Sequence, residues 1–186
     1  MTVAVVEICN RALDMVGSNT ITSLDDPVKG ARLCRRLFPQ LRDDLLREAD
    51  YAFASLRAAL PALSTAPVWG FNQAYLLPTD CVKLREINAN ATEGWRVEGN
   101  TIATNVAAPL QIRYTASIDA SLFDPLFVTM LALHIGIDLA MPLANSDRLR
   151  AMLQQDFARA RQAARGITLA DAWLPDSDTT WTQARI

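Results

Sequence analysis

From residue 125 to residue 144 the chain carries about 20 residues with apolar side chains on nearly every side, long enough to cross a bilayer. His134, Gly136, Asp138 and Pro142 interrupt that run. An aspartate at the bilayer centre costs roughly 2.5 kcal/mol or more even on the lenient insertion scale. The segment therefore reads as the buried central helix of a soluble bundle, and no membrane partner is expected. A helix apolar all round must be wrapped, so the rest of the chain has to supply amphipathic partners. No basic n-region precedes Thr2-Val3-Ala4-Val5-Val6 and Glu7 interrupts the run, so a secretory signal is not expected.

Those partners are legible. Val5, Ile8, Ala12, Leu13 and Val16 recur at helical spacing and Gly17 follows as a stop, which predicts a helix over 3–17. Asp26-Pro27 opens a second helix, expected over 27–50, with Asp26 as N-cap and Pro27 in the first turn. Its apolar stripe is Ala31, Cys34, Leu37, Phe38, Leu41 and Leu45, Asp43 is expected to pair with Arg47, and Pro39 should kink it. Asp124-Pro125 repeats the opening for the third helix, 124–144, which Pro142 ends. Ser146 caps a fourth over 146–166, with Leu149, Met152, Leu153, Phe157, Ala160 and Ala164 on one face and Gly166 as C′.

Between the second and third helices the pattern changes. Residues 56–70 are rich in Ala, Pro and Ser and read as a linker. From Phe71 to Tyr114 apolar and polar residues alternate, and Gly99-Asn100 between two such runs suits a type II′ hairpin. The expected fold is α+β, mainly α: a four-helix bundle from 1–55 and 115–170, a linker and small antiparallel β-sheet of three or four strands inserted over 56–114, and an extended C-terminal tail over 171–186.

Composition narrows function. A chain of 186 residues, 51% hydrophobic and 20% charged, is globular and fits one domain with an insertion. Eighteen basic against twenty acidic residues give a formal charge of −2, no basis for broad attraction to nucleic acid or membranes. Cys9, Cys34 and Cys81 are odd in number and widely spaced, which argues against a disulfide framework or a zinc site.

Catalytic constellations are absent by pattern. His134 shares a helix face with Asp138, but neither a nucleophile nor a metal set accompanies the pair, so a hydrogen-bonded core histidine is the reading. Adjacent carboxylates such as Asp43 and Asp44 diverge on a helix and cannot share a site. No phosphate loop, dinucleotide fingerprint or nucleophile elbow occurs, and no cofactor is expected. The features left over are surfaces. Lys29, Arg32 and Arg36 make a basic stripe on the second helix, and Arg148, Arg150, Arg159, Arg161 and Arg165 enrich the fourth. Trp173 and Trp181, with Arg185, stand in a polar tail that packs poorly on its own, and tryptophan and arginine are enriched at binding hot spots. The expected partner-binding residues are Trp173, Trp181, Arg185, Lys29, Arg32 and Arg36, with the tail loosely held until a partner orders it.

Several ordered stretches carry a resemblance. They are Cys9-Asn10-Arg11-Ala12-Leu13, Ile21-Thr22-Ser23-Leu24-Asp25-Asp26, Ala31-Arg32-Leu33-Cys34, Arg42-Asp43 with Leu45-Leu46-Arg47, and Tyr51-Ala52-Phe53-Ala54. They continue through Tyr75-Leu76-Leu77-Pro78-Thr79-Asp80-Cys81, Val97-Glu98-Gly99-Asn100, Phe123-Asp124-Pro125-Leu126-Phe127 and Trp181-Thr182-Gln183-Ala184-Arg185. In this order, across essentially the whole chain, the sequence resembles the tail tubular protein A family, the head-to-tail adaptors of podoviruses. It departs at Thr129-Met130-Leu131-Ala132-Leu133-His134, where such adaptors more often show an alanine-rich run with an acidic residue. The resemblance implies a non-enzymatic virion protein at the head–tail interface, assembled in the host cytoplasm. It implies a homo-oligomeric ring, usually twelve-fold, joining the portal protein to the tail nozzle protein. Genomic DNA would pass through its lumen without sequence readout. The alternative is an adaptor-like phage protein with cell-wall hydrolase activity, which needs a raised-pKa carboxyl among Glu7, Glu48, Glu86, Glu93 and Glu98. A third reading is a helical interaction protein that stays monomeric.

Overall fold

The computed structural model describes residues 5–89 and 94–170. Four helices, α1 (Val5–Met15), α2 (Lys29–Glu48), α3 (Pro125–Leu139) and α4 (Asp147–Ala170), enclose one core. Six strands, β1 (Ser55–Leu60), β2 (Gln73–Leu76), β3 (Cys81–Ile87), β4 (Trp95–Glu98), β5 (Thr101–Thr104) and β6 (Leu110–Ala116), lie between α2 and α3.

The strands correct the expected mainly-α fold with one small sheet. They form two three-stranded antiparallel sheets, ordered β1-β6-β3 and β2-β5-β4. Residues 56–60, expected within a linker, belong with Ser55 to the strand β1, paired to β6 from Ser55↔Thr115 to Leu60↔Leu110. The reason is legible afterwards. In Leu56-Arg57-Ala58-Ala59-Leu60 the small alanines hide the alternation that β6 shows plainly. The inner faces of the two sheets share a second core, Leu60, Leu110, Ile112 and Tyr114 meeting Tyr75 and Ile102. The insertion is thus a small sandwich with its own interior. Gly99 takes φ +61 between Glu98 and Thr101, as the expected hairpin turn requires.

In the helical body α3 is central and packs on α1, α2 and α4. The run Pro125–Ala144 is long and apolar enough to cross a membrane, and 61% of it is buried inside the protein. Asp124 caps α3 by accepting the Leu126 N–H at 2.8 Å. Beyond Leu139 the chain widens into one π-turn, Ala140–Ala144, that contains Pro142 and closes on Asn145 at φ 47. Proline has no N–H to donate back, so the last turn loosens instead of stopping at once. Ser146 caps α4 through the Leu149 N–H at 3.2 Å. Gly166 does not end α4, which continues to Ala170, and Met152 is exposed instead of facing the core.

Two expected contacts of α2 take other forms. Asp26 does not cap it, since the helix begins at Lys29 after an uncapped Val28. Asp26 accepts the N–H groups of Thr22 at 2.8 Å and Ser23 at 3.2 Å, closing the preceding loop, and these bonds hold its carboxyl below the usual range. Asp43 pairs with Arg42 at 2.8 Å, while Arg47 reaches across to the Val82 carbonyl at 2.6 Å. Arg85 meets it from the sheet side, donating to Leu46 O at 2.9 Å, to Ala49 O, and to Thr115 Oγ1 at 2.7 Å. One guanidinium therefore satisfies the bare carbonyls at the end of α2 and joins body to sandwich.

Candidate docking surfaces

A cleft of about 720 Å³ opens where the body meets the sandwich. Residues 50–55 leave α2 as a short aromatic turn, and its rings cluster with those at the start of α3. Phe53 meets Phe127 edge-on at 5.2 Å, and Phe123 meets Phe127 at 5.0 Å. Phe53 and Phe127, with Tyr51, line the cleft, and Phe123 backs them. Leu122 and Leu126 stand at one lip, and Arg57 on β1 with Arg113 on β6 at the other. Arg57 and Arg113 are direct cross-strand partners, a like-charge pairing that disfavours the sheet unless anions intervene. Arg113 has them: it binds Asp50, and Glu86 at 2.9 Å. Its hydrogen bond holds the Glu86 carboxyl below the usual range. Arg57 is exposed and, among the described residues, forms no ion pair within hydrogen-bonding reach.

The sequence-derived site residues do not converge on this cleft. Lys29 donates to the Pro142 carbonyl, which ties the start of α2 to the π-turn. Arg32 and Arg36 are exposed and, among the described residues, form no ion pair. Trp173, Trp181 and Arg185 lie outside the described residues. On α4, Arg161 pairs with Glu48 and Arg159 with Asp156 at 3.3 Å.

His134 is not the hydrogen-bonded core histidine expected. Its ring stacks on Phe157 with centroids 4.8 Å apart, and its Nδ1 is buried with no hydrogen-bond partner. Burial lowers its pKa against the opposing fields of Asp138, Asp44 and Glu48. Cys9 and Cys34 are both buried, and mutual hydrogen bonding with burial pushes the Cys9 thiol up, away from a reactive thiolate. Among the described residues no group of three His, Cys, Asp or Glu side chains could hold a metal.

The residues that sequence reasoning passed over are Val68 and Trp69, 100% and 81% exposed at the tip of the 61–72 crossing between the sheets. The crossing is anchored where Leu63 N–H meets Ala74 O at 2.8 Å, and its tip lies over Arg96 and Glu98 of β4. A tryptophan followed by glycine in a Pro- and Ala-rich stretch was the available signal. No known family model matches this chain, and no curated protein matches it in sequence at a significant level.

Proposed function

We propose that this chain is a ring subunit of a head-to-tail adaptor in a short-tailed bacteriophage. It joins the portal protein to the tail nozzle protein and lines part of the path of the genome. Cyclic assembly needs two unlike surfaces on each subunit. The observation that carries the reading is that Val68 and Trp69 stand in water on the sandwich while Arg32 and Arg36 stand unpaired on the helical body. Tryptophan is among the residues enriched at binding hot spots, and Val68 and Trp69 are the most exposed of the large apolar side chains among the described residues.

The family resemblance supports it further, because its stretches coincide with residues that build this fold. Asn10 clamps Ile21 through two hydrogen bonds of 2.9 and 2.8 Å. Asp26 closes the loop before α2, Tyr51 and Phe53 join Phe127 in the aromatic lining of the cleft, and Asp124 caps α3. For the hydrolase alternative, Glu86 is shifted in the direction opposite to that a general acid needs.

The test is reconstitution. The purified chain, mixed with the portal protein of the same genome, is expected to form a closed ring under the portal in electron micrographs. It should leave peptidoglycan turbidity unchanged. A chain that remains monomeric beside intact portals, or clears peptidoglycan, overturns the reading.

A further inference from the structure

The cleft is lined in part by the last described helix. Ala164 of α4 lines it, and α4 ends at Ala170. Six helical residues carry the chain about 9 Å past the cleft. Three extended residues span about 10 Å, so a chain turning back at Ala170 brings residue 173, a tryptophan, to the opening. Trp173 stands within Asp171-Ala172-Trp173-Leu174-Pro175-Asp176-Ser177-Asp178, three carboxylates with no cation before Arg185.

The cleft matches that segment. Its volume, about 720 Å³, lies within the roughly 300–1,000 Å³ range of pockets that enclose a compact ligand. Phe53, Leu126 and Met130 give it an apolar wall. Its carboxylates are engaged, Asp50 with Arg113 and Asp124 with the Leu126 N–H, while Arg57 at the rim lies in the field of Glu86 but, among the described residues, makes no ion pair of its own. An acidic segment carrying one indole answers both features, because the ring fills the apolar wall and a carboxylate relieves the Arg57–Arg113 pairing. We propose that this cleft is the resting site of residues 171–178 of the same chain, and that their departure from it releases the C-terminal tail to a partner. The resting site stands on the isolated chain; the release rests on the adaptor reading.

The experiment uses the full chain with Trp69, Trp95 and Trp181 changed to Phe, so that Trp173 alone emits. Two of the replaced rings, Trp69 and Trp95, are 81% and 41% exposed, so their exchange leaves the cores intact. Trp173 is expected to emit to the blue of free tryptophan amide and to resist acrylamide several-fold better. That shielding should hold over about a hundredfold range of protein concentration, as an intrachain contact does. Arg57→Glu should expose the ring, adding Asp176→Arg and Asp178→Arg should restore the shielding, and Leu126→Lys should expose it with an unchanged circular dichroism spectrum. Three results overturn the inference: emission like free tryptophan amide, shielding that grows with concentration and so comes from a second copy, or shielding indifferent to Arg57 and Leu126. Portal docking is scored separately on the unsubstituted chain, because Trp69 and Trp181 are themselves assigned to docking. An exposed Trp173 on a chain that still docks sinks only this inference, and a shielded Trp173 on a chain that never docks sinks only the adaptor reading.

Discussion

Arg85 and His134 do opposite things with buried polarity. The Arg85 side chain is 11% exposed, and its donors are spent on the Leu46 and Ala49 carbonyls and Thr115. Arg85→Ala leaves those carbonyls bare and Asp50 with one cation fewer, and should destabilise the fold by about 3 kcal/mol in urea unfolding. Arg85→Lys should recover only part, because an ammonium cannot fork between two carbonyls and a hydroxyl. His134 has no such partner at Nδ1, and burial depresses its pKa. The folded state therefore favours the neutral ring. Its contribution to stability is present above the unfolded value of about 6.5 and is lost as pH falls through the lower folded value. His134 is the single histidine. The urea midpoint should fall from pH 7 towards pH 5, and His134→Gln should flatten that slope. An unchanged slope would place the titration elsewhere.

Among the elements, α3 sets the limits of the body. Gly136 sits at its tightest packing point, yet an added Cβ would stand 3.5 Å from Leu153 Cδ1 and 3.8 Å from the Ala12 carbonyl, both ordinary contacts. Gly136→Ala should therefore raise stability by about 0.5–1 kcal/mol through helix propensity alone, read as a higher urea midpoint. Asp124→Ala removes the cap and should cost about 1 kcal/mol in the same assay. The edge strand β4 is exposed at all four positions, with Trp95 and Val97 open on one face. Among the described residues its outer edge is unpaired, an edge that the adaptor reading would give to a neighbouring subunit.

For the whole molecule, the adaptor reading requires that DNA pass without being gripped. With a formal charge of −2 and its arginines divided between salt bridges and two separate faces, the purified protein should show no sequence-dependent DNA binding at physiological salt. Tight, sequence-selective retardation in a gel would contradict a channel role. Removing residues 171–186 should leave the circular dichroism spectrum nearly unchanged while ending portal attachment. Undiminished docking by the shortened chain would move the contact to Arg32 and Arg36 or to Trp69.

The sequence by itself determined where the helices lie and which of their faces are apolar. Helical period, Asp124-Pro125, Ser146 and Gly17 are local signals that act within one or two turns. Gly17 takes φ +67, and the Gly17 and Ser18 N–H groups close the end of α1. Local signals also misled, since Asp26-Pro27 has the composition of a cap but its carboxylate is claimed by Thr22 and Ser23. Only the tertiary structure decided that Leu56 to Leu60 is a strand, because a segment with two adjacent alanines at its centre declares itself only beside β6. It alone decided the partners of the long cations, which reach 35 to 39 residues along the chain from Arg47 to Val82 and from Arg85 to Leu46. The cleft belongs to the same class. Its lining comes from β1, β6, α3 and α4 and from the turns after α2 and before α3, and no spacing within one segment encodes a volume bounded by so many.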